Sequence, residues 1–152
     1  MYTAAVLLPS SQDLLRWIMR GTIKLEDKGF EIQTEGGLAL PHHMTINMGK
    51  LDVSLNAESI FNCPAILTID KLIYCKSLGV CAAPVKQAIA LRLQDDDPMV
   101  AIKTINEHPH ITVCLKPGVR PIASNELLDK QDGYVTKLDK DYGLEARIIE
   151  VK

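Results

Sequence analysis

Apolar and polar positions alternate with a period of two through two short stretches, His43-Met44-Thr45-Ile46 and His110-Ile111-Thr112-Val113. Each pattern predicts a strand with a histidine and a threonine on one side and two apolar residues facing a core on the other. Further strand-like runs are Thr3–Leu8, Leu51–Leu55, Ala65–Tyr74, Val80–Val85 and Ala88–Leu93, with Tyr134–Leu138 and Leu144–Val151 as closing strands. Period-3.6 spacing of Leu14, Leu15, Ile18 and Met19 predicts a helix over Gln12–Arg20, capped by Pro9-Ser10-Ser11 and stopped at Gly21. Asp95-Asp96-Asp97-Pro98 has the form of a second helix start, continued by Met99–Glu107 and ended at His108-Pro109. Ser124–Leu128 suggests a short helix, and Lys116-Pro117-Gly118 a turn. The expected class is α+β with mainly antiparallel sheet, in a single domain over residues 1–152.

Composition narrows the chemistry. Net charge is −2, which gives no field to recruit long DNA or RNA, whereas a small anion needs only local donors. No apolar stretch is long enough to span a bilayer, and Met1–Pro9 lacks the form of a signal peptide. Cys63, Cys75, Cys81 and Cys114 show no CxxC pairing and read as reduced core thiols of a cytoplasmic protein.

The histidines fall in two pairs, His42/His43 and His108/His110. Strand parity selects within each. His43 shares a face with Thr45 and Asn47, whereas His42 shares one with Met44 and Ile46. His110 shares a face with Thr112 and Cys114, while Pro109 breaks the strand before His108. A histidine-rich zinc or iron site is the rival reading, but Glu107 is the one acidic residue within a few positions, and a metal leaves the threonines unexplained.

Two imidazoles around one phosphate supply a base for the nucleophile and an acid for the leaving oxygen, because their unperturbed pKa lies near neutrality. Two threonine hydroxyls can donate to the non-bridging oxygens. The stretches HHMTINMG and HPHITVCL, with KPGVRPIASNELL after the second, resemble the 2H phosphoesterase superfamily. That resemblance implies a bilobal fold, two antiparallel sheets around a central cleft with one motif in each. It makes His43 and His110 the catalytic pair and Thr45 and Thr112 the phosphate-binding hydroxyls, with no metal and no cofactor. Within the superfamily, HHMTINMGK and HITVCLKPGVRPIASNELL look most like the phage anti-CBASS nucleases. This implies hydrolysis of a cyclic oligonucleotide such as 3′,3′-cGAMP in the cytosol of an infected bacterium.

An RNA 2′,3′-cyclic phosphodiesterase, or an enzyme of 2′–5′ linkages, is the alternative within the same chemistry. A non-catalytic sponge for cyclic nucleotides is a third reading. For holding bases and phosphates, Tyr134, Tyr142 and Lys116 are the candidates, with Arg120 beside the same turn as Lys116. Trp17 has the helical spacing of a core or groove-edge residue, with core the favoured role, and Gly21–Gly37 is a candidate lid.

Overall fold

The computed structural model describes residues 1–22, 40–92, 96–130 and 133–152, together with the backbone of 34–35 and 38–39. Its strands are β1 (Tyr2–Leu7), β2 (Thr34–Glu35), β3 (Leu38–Ala39), β4 (His43–Met48), β5 (Pro64–Cys75), β6 (Val80–Pro84), β7 (Gln87–Leu91), β8 (Met99–Ala101), β9 (His110–Leu115) and β10 (Tyr134–Val151). Two α-helices, α1 (Pro9–Thr22) and α2 (Ala123–Lys130), and a 3₁₀ turn at Glu58–Ile60 join them among the described residues. None is long and apolar enough to cross a membrane.

The strands run in the order β10-β1-β4-β9-β6-β5, and β10 pairs with β5 as well, which closes six antiparallel strands into a barrel. β5 makes closure possible because it is long. One edge follows β10, while the other is shared between β6 at Ile73–Cys75 and β7 at Ala65–Thr68. The expected bilobal arrangement of two sheets is therefore corrected to one closed barrel, from which β7 and β8 extend. The expected closing strands are a single strand, β10, irregular between Lys137 and Tyr142.

Alternating residues of the barrel strands, including Met44, Ile46, Leu67, Ile69, Ile111, Val113, Leu144 and Ile148, form the main core. α1 adds Leu15, Ile18 and Met19 to it. The helix begins earlier than its spacing predicts, because Pro9 fills the first turn, where a missing N–H costs nothing. Ser11 serves as a tether rather than a cap, its Oγ accepting from the Glu145 N–H at 2.8 Å. Trp17 is not a core residue. It lies on the opposite side of α1 and is 68% exposed.

Two sequence expectations fail where side chains supply competing backbone partners. Leu51–Leu55 is a turn, not a strand. The Asp52 carbonyl accepts from the N–H groups of Leu55 and Asn56, and its carboxylate accepts from Ser54. Met99–Glu107 is not a helix. Met99–Ala101 pairs with β7, and Asn56 then clamps Lys103 through both backbone groups, at 2.7 and 2.9 Å. Asp95 and most of the candidate lid lie outside the described residues, apart from the short β2–β3 pairing. The four cysteines are free thiols, three of them buried.

Candidate functional site

The site begins with one strand pairing. β4 and β9 are antiparallel and meet at Met44↔Ile111. A step forward on one strand is a step back on the other, so His43 stands across from Thr112 and Thr45 across from His110. Directly opposed residues share a face, and here it is the face away from Met44 and Ile111 in the core. The two motifs thus form a four-cornered patch, histidines on one diagonal and threonines on the other. Diagonal neighbours of this kind lie roughly 7–8 Å apart, a spacing that admits a phosphate between the rings.

A cleft of about 340 Å³ opens over this patch. His43, Thr45, His110 and Thr112 line it, together with Asn106 from the segment after β8 and Asn125 from α2. Among the described residues, its lining holds no lysine or arginine. An anion here is met by hydroxyl, amide and imidazole groups.

Three of the four corners are held by separate contacts. The Thr112 hydroxyl lies 2.8 Å from that of Ser124, which is 0% exposed on the first turn of α2. His110 Nδ1 donates to the His108 carbonyl at 2.9 Å, which leaves Nε2 for the cleft. His43 Nδ1 lies 3.0 Å from His42 Nδ1, and the Tyr2 ring is tilted against His43 with centroids 4.9 Å apart. Asn47 is structural. Its side chain closes the turn after β4 through Met48, Lys50 and Asp52.

Burial dominates the electrostatics. It pushes the His43 pKa down to about 4, with the nearby His42 and His110 charges acting in the same direction. His110 is also lowered, chiefly by burial, against an opposing contribution from its bond to the His108 carbonyl. Burial therefore favours neutral imidazoles near pH 7, and a bound anion would favour protonation of one.

Strand parity placed His43, Thr45, His110 and Thr112 together as expected, but it misplaced Cys114. The β6–β9 register shifts between Cys81 and Ala82, so that Cys81 pairs with Cys114 and Ala82 with Thr112. Val113 is left as the extra residue of a bulge, and Cys114 turns into the core. The remaining candidates lie elsewhere. Tyr134 stacks on Tyr74 at 5.4 Å, Tyr142 donates to Asp139 beside the groove at Trp17, and the Lys116 ammonium donates to the Lys76 carbonyl. None of the three lines the cleft. Ser124, Asn125 and Asn106 were missed. The one sequence signal for them was the polar start of the α2 segment, which reads as ordinary helix capping.

Comparisons with known proteins agree with this geometry. Residues 67–151 match a family described as the fungal tRNA ligase phosphodiesterase domain, a stretch that includes the His110 motif and ends the barrel. The fold is similar to that in the crystal structure of a fungal RNA kinase, with a TM-score of 0.56 and 15% identity over 98% of this chain. The chain spans 45% of the length of that protein. Curated protein sequences give no match.

Proposed function

As a member of the fungal tRNA ligase phosphodiesterase domain family, the chain is a phosphodiesterase-type domain with a 2H phosphoesterase-like fold, and we propose that its cleft hydrolyses 2′,3′-cyclic phosphates on RNA ends or nucleotides. The observation that carries this reading is the Met44↔Ile111 pairing, which sets each histidine across from the other motif's threonine. One neutral imidazole takes a proton from water through Nε2, and the water oxygen bonds to phosphorus. The bond from phosphorus to one ribose oxygen breaks, and the other imidazole, protonated, gives that oxygen its proton. The product is a phosphomonoester. Thr45 and Thr112 donate to the non-bridging oxygens, where charge builds in the transition state.

Cleft size favours this substrate over a cyclic oligonucleotide. About 340 Å³ lies at the small end of ligand sites, roughly 300–1,000 Å³, and suits one nucleotide unit. Tyr134, Tyr142 and Trp17, on which a larger ring could stack, line other surfaces, and among the described residues Tyr2 is the aromatic ring that packs against His43. Hydrolysis of 3′,3′-cGAMP uses the same chemistry and is the second reading. Incubation with a 2′,3′-cyclic nucleotide, 3′,3′-cGAMP and a 2′–5′-linked dinucleotide separates the readings. The proposal expects the first to give a monoester fastest; preferential cleavage of 3′,3′-cGAMP, or its recovery unchanged from a tight complex, would overturn it.

A further inference from the structure

The two histidines differ in what holds Nδ1. A carbonyl only accepts, so His110 keeps its Nδ1 proton against the His108 carbonyl, and neutral His110 carries its lone pair on Nε2. That is the state of a base. His43 Nδ1 instead faces the Nδ1 of His42 at 3.0 Å, with the rings edge to face at 77°. An imidazole nitrogen can donate or accept, so the hydrogen-bonded contact holds one proton between two rings. His42 is only half-buried, whereas His43 is 8% exposed.

Resting on the two-histidine reading above, we propose that His42 and His43 act as a coupled pair that takes up one proton between them and delivers it through His43 Nε2. His43 is then the acid of the hydrolysis step, His110 the base, and His42 a positioning residue that links the acid to solvent. The charged pair holds three protons on four nitrogens: one on each Nε2 and one between the two Nδ1 atoms. When His43 Nε2 gives its proton to the leaving ribose oxygen, the shared proton settles on His43 Nδ1. Both rings end neutral, His42 protonated on Nε2 and His43 on Nδ1. Meanwhile His110 gains the proton from water, so one positive charge has moved from the pair to His110.

A second proton on the pair would set two N–H groups against each other across the 3.0 Å contact, which breaks it. Burial and the mutual repulsion of the two rings act in the same direction. Among the described residues, the titratable groups shown beside the pair are Tyr2 on β1 and His110 on β9. Arg16 of α1 is held nearby by the Leu40 carbonyl and Asp13.

Imidazole ¹⁵N NMR titration of the intact protein, without substrate, reads the pair directly. The expected result is one common transition for His42 and His43 with uptake of a single proton, while His110 titrates separately as the Nδ1–H tautomer. His42→Asn keeps a group that can hydrogen bond to His43 but cannot titrate. It should abolish the common transition, leave KM nearly unchanged, lower kcat about 10- to 100-fold and shift its acidic limb. Independent conversion of His42 and His43 to full imidazolium would overturn the pair, as would an unchanged kcat–pH profile in His42→Asn. A common transition in a protein that turns over no cyclic phosphate would instead sink the phosphodiesterase reading and leave the pair standing.

Discussion

Ser124→Ala removes a buried hydroxyl that does not line the cleft, and its effect can be worked from one contact. Ser124 Oγ lies 2.8 Å from Thr112 Oγ1, with Ser124 0% and Thr112 8% exposed. The lost hydrogen bond is worth about 1 kcal/mol, and a buried hydroxyl left without a partner costs about 1–3 kcal/mol. Thr112 escapes part of that penalty by turning into the cleft, so the expected loss of stability is about 1–2 kcal/mol. Without Ser124 to orient it, the hydroxyl is no longer held in position to donate to the phosphate, and kcat/KM should fall about 10-fold, or ~1.4 kcal/mol of transition-state stabilisation. Thr112→Val strands the Ser124 hydroxyl on the wholly buried side and should cost about 2 kcal/mol. Combining the two removes both polar groups. Stability then returns to within about 1 kcal/mol of the parent, while activity stays at the Thr112→Val level. Urea unfolding at constant m, with steady-state hydrolysis of a 2′,3′-cyclic nucleotide, measures both quantities. Parental activity in Ser124→Ala, or a double variant as unstable as the sum of its parts, refutes the coupling.

Loss of either imidazole should be nearly as severe as loss of both, with kcat down about 10²–10⁴-fold in His43→Ala and His110→Ala and circular dichroism unchanged. The depressed His43 pKa predicts acid sensitivity. The unfolded chain takes a proton near pH 6.5 that the folded chain refuses until about pH 4. Stability from this residue is therefore present above pH 6.5 and lost as pH falls towards 4, by up to roughly 3 kcal/mol. Equal urea midpoints at pH 7.5 and 4.5 would contradict it. Tyr134→Ala, Tyr142→Ala and Lys116→Ala lie off the cleft and should change KM for a cyclic mononucleotide by less than about 2-fold. Two imidazoles and two hydroxyls complete the proposed reaction, so turnover should be unaffected by EDTA; loss on chelation and recovery with added metal would show a missing component.

The candidate site was largely legible because strand alternation is a local property. Once β4 and β9 form, His43 and Thr45, like His110 and Thr112, must share a face. What local pattern does not encode is pairing. The Met44↔Ile111 register and the closure of β10 onto β5 come from contacts distant in sequence; the two-lobe expectation rested on the family resemblance, and the pattern of residues alone could not replace it with a barrel. The bulge at Val113 reverses parity within the second motif's own strand, so Cys114 was assigned to the wrong face. Met99–Glu107 failed for a related reason. Its carboxylate-rich start resembles a helix N-terminus, but β7 and the Asn56 side chain hold its backbone. Ser124 reads in sequence as a helix start and His42 as a residue flanking His43, because the contact each makes exists only in the folded chain.

The most direct test follows a 2′,3′-cyclic nucleotide by ³¹P NMR in ¹⁸O-enriched water containing EDTA, with the parent protein, His43→Ala and His110→Ala. Two-histidine hydrolysis at this cleft predicts a phosphomonoester carrying a single ¹⁸O atom from the parent protein and no comparable conversion from either variant. An unchanged cyclic phosphate with the parent protein, or parental rates in either variant, would contradict it.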